Sequence, residues 1–263
     1  MHAEKIAVLR ASLTKPGLEE ASVRVPLGHG AADLCLKGGR RRGALHEVFA
    51  AAGHEAAATG FTAGLAARVA AGKHLLWIRQ DFSALEFGEI SAAGLLEFGL
   101  DPARMLVLHI AAAADGLRAA TDALSCAVLG AAVIEIAGRP KILDLAASRR
   151  LTLACAKKDV TAFLLRFGAK PDASAAETRW LVRAAPSPAQ EENWGHPVFE
   201  VGLIRNRYGR TGHWVMEWSC DHGLFQNPAT DIDTVVSTPC NRPAAAARED
   251  AEDASRITTR GGA

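Results

Sequence analysis

The strongest constraint on this chain is an alternation that runs from Leu45 to Arg166. Apolar runs of strand length occur at Leu45–Phe49, His74–Arg79, Met105–Ile110, Ala131–Ile136 and Val160–Arg166. Helical patterns lie between them, at Thr59–Ala71, Ser91–Glu97, Asp115–Cys126 and Lys141–Cys155. A strand that reads as a continuous apolar run is buried on both faces. Such strands separated by helices predict an α/β fold, a mainly parallel sheet flanked by helices.

The pattern changes after Phe167. "FGAKPDASAAE" is loop-like, and "TRWLVRAA", "PVFEVGLIRNRYG" and "TGHWVMEWS" then read as consecutive strands, an antiparallel extension of the sheet. Ahead of the alternation, Ile6, Leu9 and Leu13 are spaced for a short amphipathic helix, stopped by Pro16-Gly17. Residues from Val23 to Gly43 read as loop. From Pro239 onward the chain has almost no large apolar residues and cannot bury enough surface to order itself. The expected organisation is an N-terminal helix at residues 1–22, a core at 23–225 and a mobile tail at 226–263.

Bulk properties exclude several classes. Hydrophobic residues make up 49% of 263 and charged residues 22%, the balance of a soluble globular protein. A net charge of +1 gives no global attraction to nucleic acid, so any basic patch is local. Five cysteines with no CxxC pair argue against a disulfide framework. The absence of an apolar signal region and of a membrane-length apolar stretch leads to the expectation of a cytoplasmic protein without a membrane partner.

The first strand enters "AAAGHEAAATGF", the position of a phosphate-binding loop. Such a loop needs glycines so that backbone N–H groups can wrap phosphates, a lysine to neutralise them and a hydroxyl for magnesium. Here Gly53 and Gly60 bracket six residues rather than four, and Phe61 stands where lysine belongs. Thr59 and Thr62 are the nearest hydroxyls. Glu135, inside the strand "AAVIEIA", is the candidate magnesium-holding acid, with Arg139 a candidate cap for it and Asp81 a further acid. These residues describe a degenerate nucleotide site without the charge that answers a triphosphate.

The basic residues form two clusters, Arg40, Arg41 and Arg42 in "LKGGRRRG", and Arg205, Arg207 and Arg210 around Tyr208 in "RNRYGR". Arginine forks suit phosphates and carboxylates, so both clusters are candidate DNA or partner contacts. A solvated loop and a charged strand edge are the plainer readings. Trp214 and Trp218 alternate with Val215 and Glu217, which puts both tryptophans on one sheet face, as core or partner packing. Cys220, His222, His213 and His196 match no common zinc spacing, and Cys155 reads as a small buried hydrophobe.

Taken in order, "KGGRRRGALHEVF", a strand–turn–helix, a strand ending near acids, a Walker-B-like strand and "LIRNRYGRTGHWVMEW" resemble the RecA-like core. More closely they resemble the ImuA family of bacterial damage-inducible mutagenesis proteins, over Ala3 to Phe225. The resemblance implies a non-catalytic accessory factor of SOS-induced translesion DNA synthesis that acts with ImuB, a Y-family polymerase homologue, and with an error-prone C-family polymerase. RecA and the DNA backbone are further implied partners, and no cofactor is implied. In the RecA-like pattern Arg205 and Arg207 match a basic–Asn–basic triplet at a subunit interface, and Phe167–Thr178 matches a short form of a mobile DNA-contacting loop. Two other readings fit the same residues: a DNA-stimulated ATPase, and a division inhibitor similar to SulA.

Overall fold

The computed structural model describes residues 23–187 and 195–228. The expected N-terminal helix lies outside them, as does the expected tail except residues 226–228, of which Gln226 ends the last strand rather than beginning a tail.

Strands β3 (Leu45–Ala50), β4 (His74–Gln80), β5 (Met105–Ile110), β6 (Leu129–Ala137) and β7 (Thr161–Phe167) follow the apolar runs closely. With β8 (Thr178–Ala185), β9 (Val198–Asn206), β10 (Gly212–Ser219) and β11 (Leu224–Gln226) they form one nine-stranded sheet, ordered β11-β10-β9-β8-β3-β7-β6-β4-β5. The run from β8 to β5 is parallel, and β9, β10 and β11 are antiparallel. This is the arrangement expected of a RecA-like core with a C-terminal antiparallel extension. The first strand of the expected extension, β8, in fact pairs parallel with β3, Val48 opposite Trp180. The extension proper therefore begins at β9.

Helix α1 (Gly30–Cys35) is followed by α2 (Glu55–Ala70), α3 (Asp81–Phe87), α4 (Ala92–Glu97), α5 (Ala113–Ala123) and α6 (Leu145–Lys158). On one face α2 packs with α1 and α4 over Trp77, Phe163, Trp180, Met216 and Trp218. On the other, α5 and α6 cover Ile78, Ile134 and Leu164. Trp214 and Trp218 do share a face, packed on the α2 side. Among the described residues, no β9–β11 residue belongs to the α5–α6 core, and the described helices cover the extension only on the α2 side.

Three local differences from expectation have simple causes. Helix α2 starts at Glu55, four positions before the expected Thr59, because Glu and Ala are strong helix formers and need no phosphate-loop turn. Helix α3 escaped notice because its large apolar residues Phe82 and Leu85 are exposed, leaving no buried stripe to read. The expected loop at 23–43 holds α1 and a two-stranded ladder of β1 (Arg24–Val25) and β2 (Arg40–Arg41). Here the Asp33 carboxylate accepts the amides of Leu27 and Gly28, closing a turn that composition alone does not announce.

Helix α6 is capped at both ends: Asp144 accepts the Ala147 amide at 2.7 Å, and Lys157 and Lys158 occupy the last turn, where cations suit the helix dipole. The link from Phe167 to Thr178, expected as a mobile loop, is tied by Ala175 N–H on Ser148 Oγ at 3.0 Å and Glu177 N–H on the Leu45 carbonyl at 2.8 Å.

Candidate functional site

The β3–α2 connection is only Ala51 to His54. Gly53 sits there at φ +77, as a tight turn requires. Two of its four amides are already committed, Ala51 N–H to the Val182 carbonyl and His54 N–H to the Ala51 carbonyl. The His54 ring accepts the Ala184 amide through Nδ1 at 3.1 Å. Little remains to wrap a phosphate.

The other residues of the expected nucleotide site are helical. Gly60 lies within α2, where a Cβ would approach Phe98 Cζ to 2.8 Å, so this glycine admits an aromatic ring rather than a ligand. Thr62 is fully buried with its hydroxyl donating to the Ala58 carbonyl at 2.7 Å, which corrects its expected role as a magnesium or phosphate ligand. Thr59 donates likewise to the Glu55 carbonyl at 3.0 Å. Phe61 is not at a loop tip: its ring packs 5.0 Å from Phe225 and 5.6 Å from Trp180 in the core.

Thr59, Gly60 and Glu135 do meet, lining a cleft of about 310 Å³ with Glu55, Arg79 and Glu89. Gly53 and Thr62 are not part of it. Glu135 is 1% exposed. Its Oε1 accepts from Arg79 Nη2 at 3.2 Å and its Oε2 from Trp77 Nε1 at 3.1 Å. Arg79 also donates to the Gly88 carbonyl and to Glu89, pinning the α3–α4 connection over the strand ends. The expected cap Arg139 instead forks onto Asp172, holding that carboxyl below the usual range. Asp81 lies 3.7 Å from His109 Nδ1. Three carboxylates and one arginine line the cleft, the wrong balance for a triphosphate.

The basic clusters separate on inspection. Arg40, expected as a contact residue, is fully buried, because strand alternation in β2 turns it inward while Arg41 turns outward. Its Nη1 donates to the Leu65 carbonyl at 3.0 Å, its guanidinium lies 5.5 Å from the Phe163 ring, and burial pulls its pKa down to about 9. It is no surface contact. Arg41 pairs with Glu177 at 2.7 Å and Arg42 with Asp159 at 3.1 Å, so carboxylates already answer both charges. Burial pushes the Glu177 carboxyl upward, against the opposing pull of Arg41.

Arg205 and Arg207 line a cleft of about 520 Å³ with Arg149 and Thr152 of α6 and with Ser174. Arg205 Nη1 is held by the Ser174 carbonyl at 2.7 Å. Arg207 and Arg41 both lie within 6 Å of the Tyr208 ring, at 5.5 and 5.9 Å, so the ring joins the two basic segments. Arg210 is exposed and does not line this cleft.

A buried chain of hydrogen bonds links the core to this surface. Trp180 Nε1 donates to Thr178 Oγ1 at 2.9 Å, and His46 Nε2 lies 3.1 Å from the Arg41 carbonyl, which can only accept. His46 therefore carries its proton on Nε2, and Thr178 donates its own to Nδ1 across 2.8 Å. Burial and the nearby Arg40 charge pull the His46 pKa down to about 3. Beside it, Arg179 pairs with Glu47 at 2.6 Å in the sheet interior.

Sequence reading missed Arg79, Arg149, His46 and the Glu47–Arg179 pair. Arg79 had a signal: it is a charge at the end of an apolar strand, just as Glu135 is. Register places Ile78 opposite Ile134, so the next positions bring the two charges together. No helix among the described residues is long and apolar enough to cross a membrane.

Comparison with known proteins adds the family. No family model matches the chain. Protein ImuA from two strains of Caulobacter vibrioides, NA1000/CB15N and ATCC 19089/CIP 103742/CB 15, is 33% identical over 223 residues, covering 75% of this chain and 86% of each relative. The chain belongs to the ImuA family.

Proposed function

We propose that this protein is a non-catalytic accessory factor of damage-inducible, error-prone translesion DNA synthesis, an adaptor that joins ImuB to an error-prone C-family polymerase. One observation carries the non-catalytic part. The acid that would hold magnesium, Glu135, is neutralised internally by Arg79 and hydrogen-bonded by the Trp77 indole N–H. Displacing that guanidinium for a metal would strand a buried charge, at a cost of about 3–5 kcal/mol. The crowded β3–α2 turn and the acidic cleft support the same reading. A degenerate RecA-like ATPase fold, with residues 23–225 as its core, serves as scaffold.

The docking part draws on the family and on the sheet edge. Among the described residues strand β5 pairs only with β4, and its Leu106 and Val107 are exposed. Phe82 and Leu85 of α3, which follows β4, are exposed as well. An open edge with apolar side chains is a surface a partner strand can extend, and ImuB is the partner assigned to it. Arg205, Arg207 and Arg210 are assigned to an auxiliary contact with DNA or a protein partner, and RecA is the remaining candidate partner.

Two measurements test the proposal. A fluorescent ATP analogue with magnesium should give no saturable response up to millimolar concentration; saturable binding lost on Glu135→Ala would restore an enzyme. ImuB should co-purify, and Leu106→Lys/Val107→Lys should release it. Clean chromatographic separation of the unaltered pair at micromolar concentration would end the adaptor reading.

A further inference from the structure

We propose that the cleft between α6 and β9 is a receptor for an acidic peptide of a partner protein, one that carries paired carboxylates beside an apolar side chain. The proposal rests on the docking role given above and supplies its chemistry.

Charge comes first. Arg149, Arg205 and Arg207 line the cleft together, and no carboxylate of the described residues lines it. None of the three lies within 4.0 Å of a carboxylate among the described residues, whereas Arg41, Arg42, Arg79, Arg139 and Arg179 are all paired. Three unanswered guanidiniums facing one concave space attract an anion strongly, and each can grip it with two donors.

Preorganisation comes second. Arg205 is fixed by the Ser174 carbonyl and Arg207 lies by Tyr208, so little side-chain freedom is lost on binding. Ser174 is itself placed by the segment that Ser148 Oγ holds through the Ala175 amide.

Shape and polarity separate a peptide from a nucleic-acid backbone. A space of about 520 Å³ admits a few side chains but not a duplex, whose phosphates track across convex or open surface. The wall also carries Leu153, which is 66% exposed. An exposed branched side chain next to arginines offers an apolar seat that sugar and phosphate cannot use. The cleft is lined by residues of α6, of β9 and its following turn, and of the Ser174–Ala175 link, beside a face of the extension that no described helix covers.

The test uses the full chain and fluorescence anisotropy with a labelled peptide of alternating glutamate and leucine, a labelled thymine-only oligonucleotide, and inorganic phosphate as competitor. The peptide should bind. Arg149→Glu and Arg207→Glu, both at exposed positions, should each weaken it about tenfold or more, roughly one charge-assisted contact. Leu153→Ser should weaken the peptide and leave inhibition by phosphate unchanged, which a purely electrostatic patch would not show. On the Arg149→Glu/Arg207→Glu chain, a lysine–leucine peptide should gain what the acidic one loses. No peptide binding at millimolar concentration, an unchanged affinity in both arginine variants, or preference for the oligonucleotide through the same arginines would each overturn the proposal. ImuB co-purification is scored separately: its failure with peptide binding intact overturns the adaptor reading alone, and the reverse overturns the cleft alone.

Discussion

Arg79 and Glu135 meet at 3.2 Å on adjacent strands, with side chains 3% and 1% exposed. Trp77 Nε1 donates to the remaining carboxylate oxygen, so both oxygens of Glu135 are committed within the core. Removing one partner should therefore be far worse than removing both. Arg79→Met is expected to cost about 3–5 kcal/mol, whereas Arg79→Met/Glu135→Leu should lie near the wild type. Urea denaturation of the wild type, both single variants and the double variant decides this; a loss in the double variant equal to the sum of the two single losses would show that the pair is not coupled.

Thr178 is the middle of the chain that runs from Trp180 to His46. Thr178→Val keeps the shape but leaves the Trp180 N–H without an acceptor and the His46 Nδ1 without a donor. Each buried orphan costs about 1–3 kcal/mol, so the expected loss is at least that of one. Thermal unfolding measures it, and a Tm unchanged within error would mean that neither group depends on the hydroxyl.

The His46 pKa, pulled from 6.5 to about 3, gives stability a specific acid dependence. Between those values the unfolded chain binds a proton that the native protein refuses, so stability rises with pH and falls as the solution is acidified through the window. This one group contributes a slope of up to about 1.4 kcal/mol per pH unit. His46→Gln should flatten the profile between pH 6 and 4, roughly the centre of that window. Denaturation midpoints at several pH values would show a persistent slope if other groups dominate.

Among the described residues the buried Arg40 charge is received by the Leu65 carbonyl and the Phe163 ring, with Asp33 a more distant carboxylate. Arg40→Met fills similar volume and removes the burial cost. The expectation is a Tm equal to or above that of the wild type. It should also leave any DNA or peptide affinity unchanged, since the side chain reaches no surface.

The thiols differ sharply in availability. Burial pushes Cys155 up to about 12, while Cys126 is exposed. Peptide mapping after alkylation of the native protein at pH 8, below the Cys155 value, should find Cys126 modified and Cys155 untouched until denaturant is added.

The sheet was legible in the sequence because five of its strands are continuous apolar runs, and those runs mark the ends of β3 to β7 to within a few residues. What escaped is what a one-dimensional pattern cannot carry. The first turn of α2, from Glu55, reads in the sequence as part of a phosphate-loop turn because Gly60 looks like its closing glycine, whereas Gly60 admits the ring of Phe98, a residue 38 positions away. Arg40 looked like one of three equivalent basic residues until pairing with Val25 fixed which way it faces. Arg149 joins Arg205 and Arg207 only through the packing of α6 against the sheet. Local periodicity reports which face is apolar; the partners of charged residues depend on strand order.

That order puts β3 between β7 and β8, with Leu45 beside Ala162 and His46 beside Thr178. During synthesis β3 leaves the ribosome early, yet neither of its neighbours exists until more than a hundred further residues have followed. A strand that is buried along its whole length in the native sheet, with two vacant edges, must be shielded for that interval, by transient collapse or by a chaperone. The C-terminal strands are thus no ornament to a finished core. Their first member, β8, is the last piece to arrive beside β3, and a nascent chain that stalls before Ala185 leaves the middle of the sheet open.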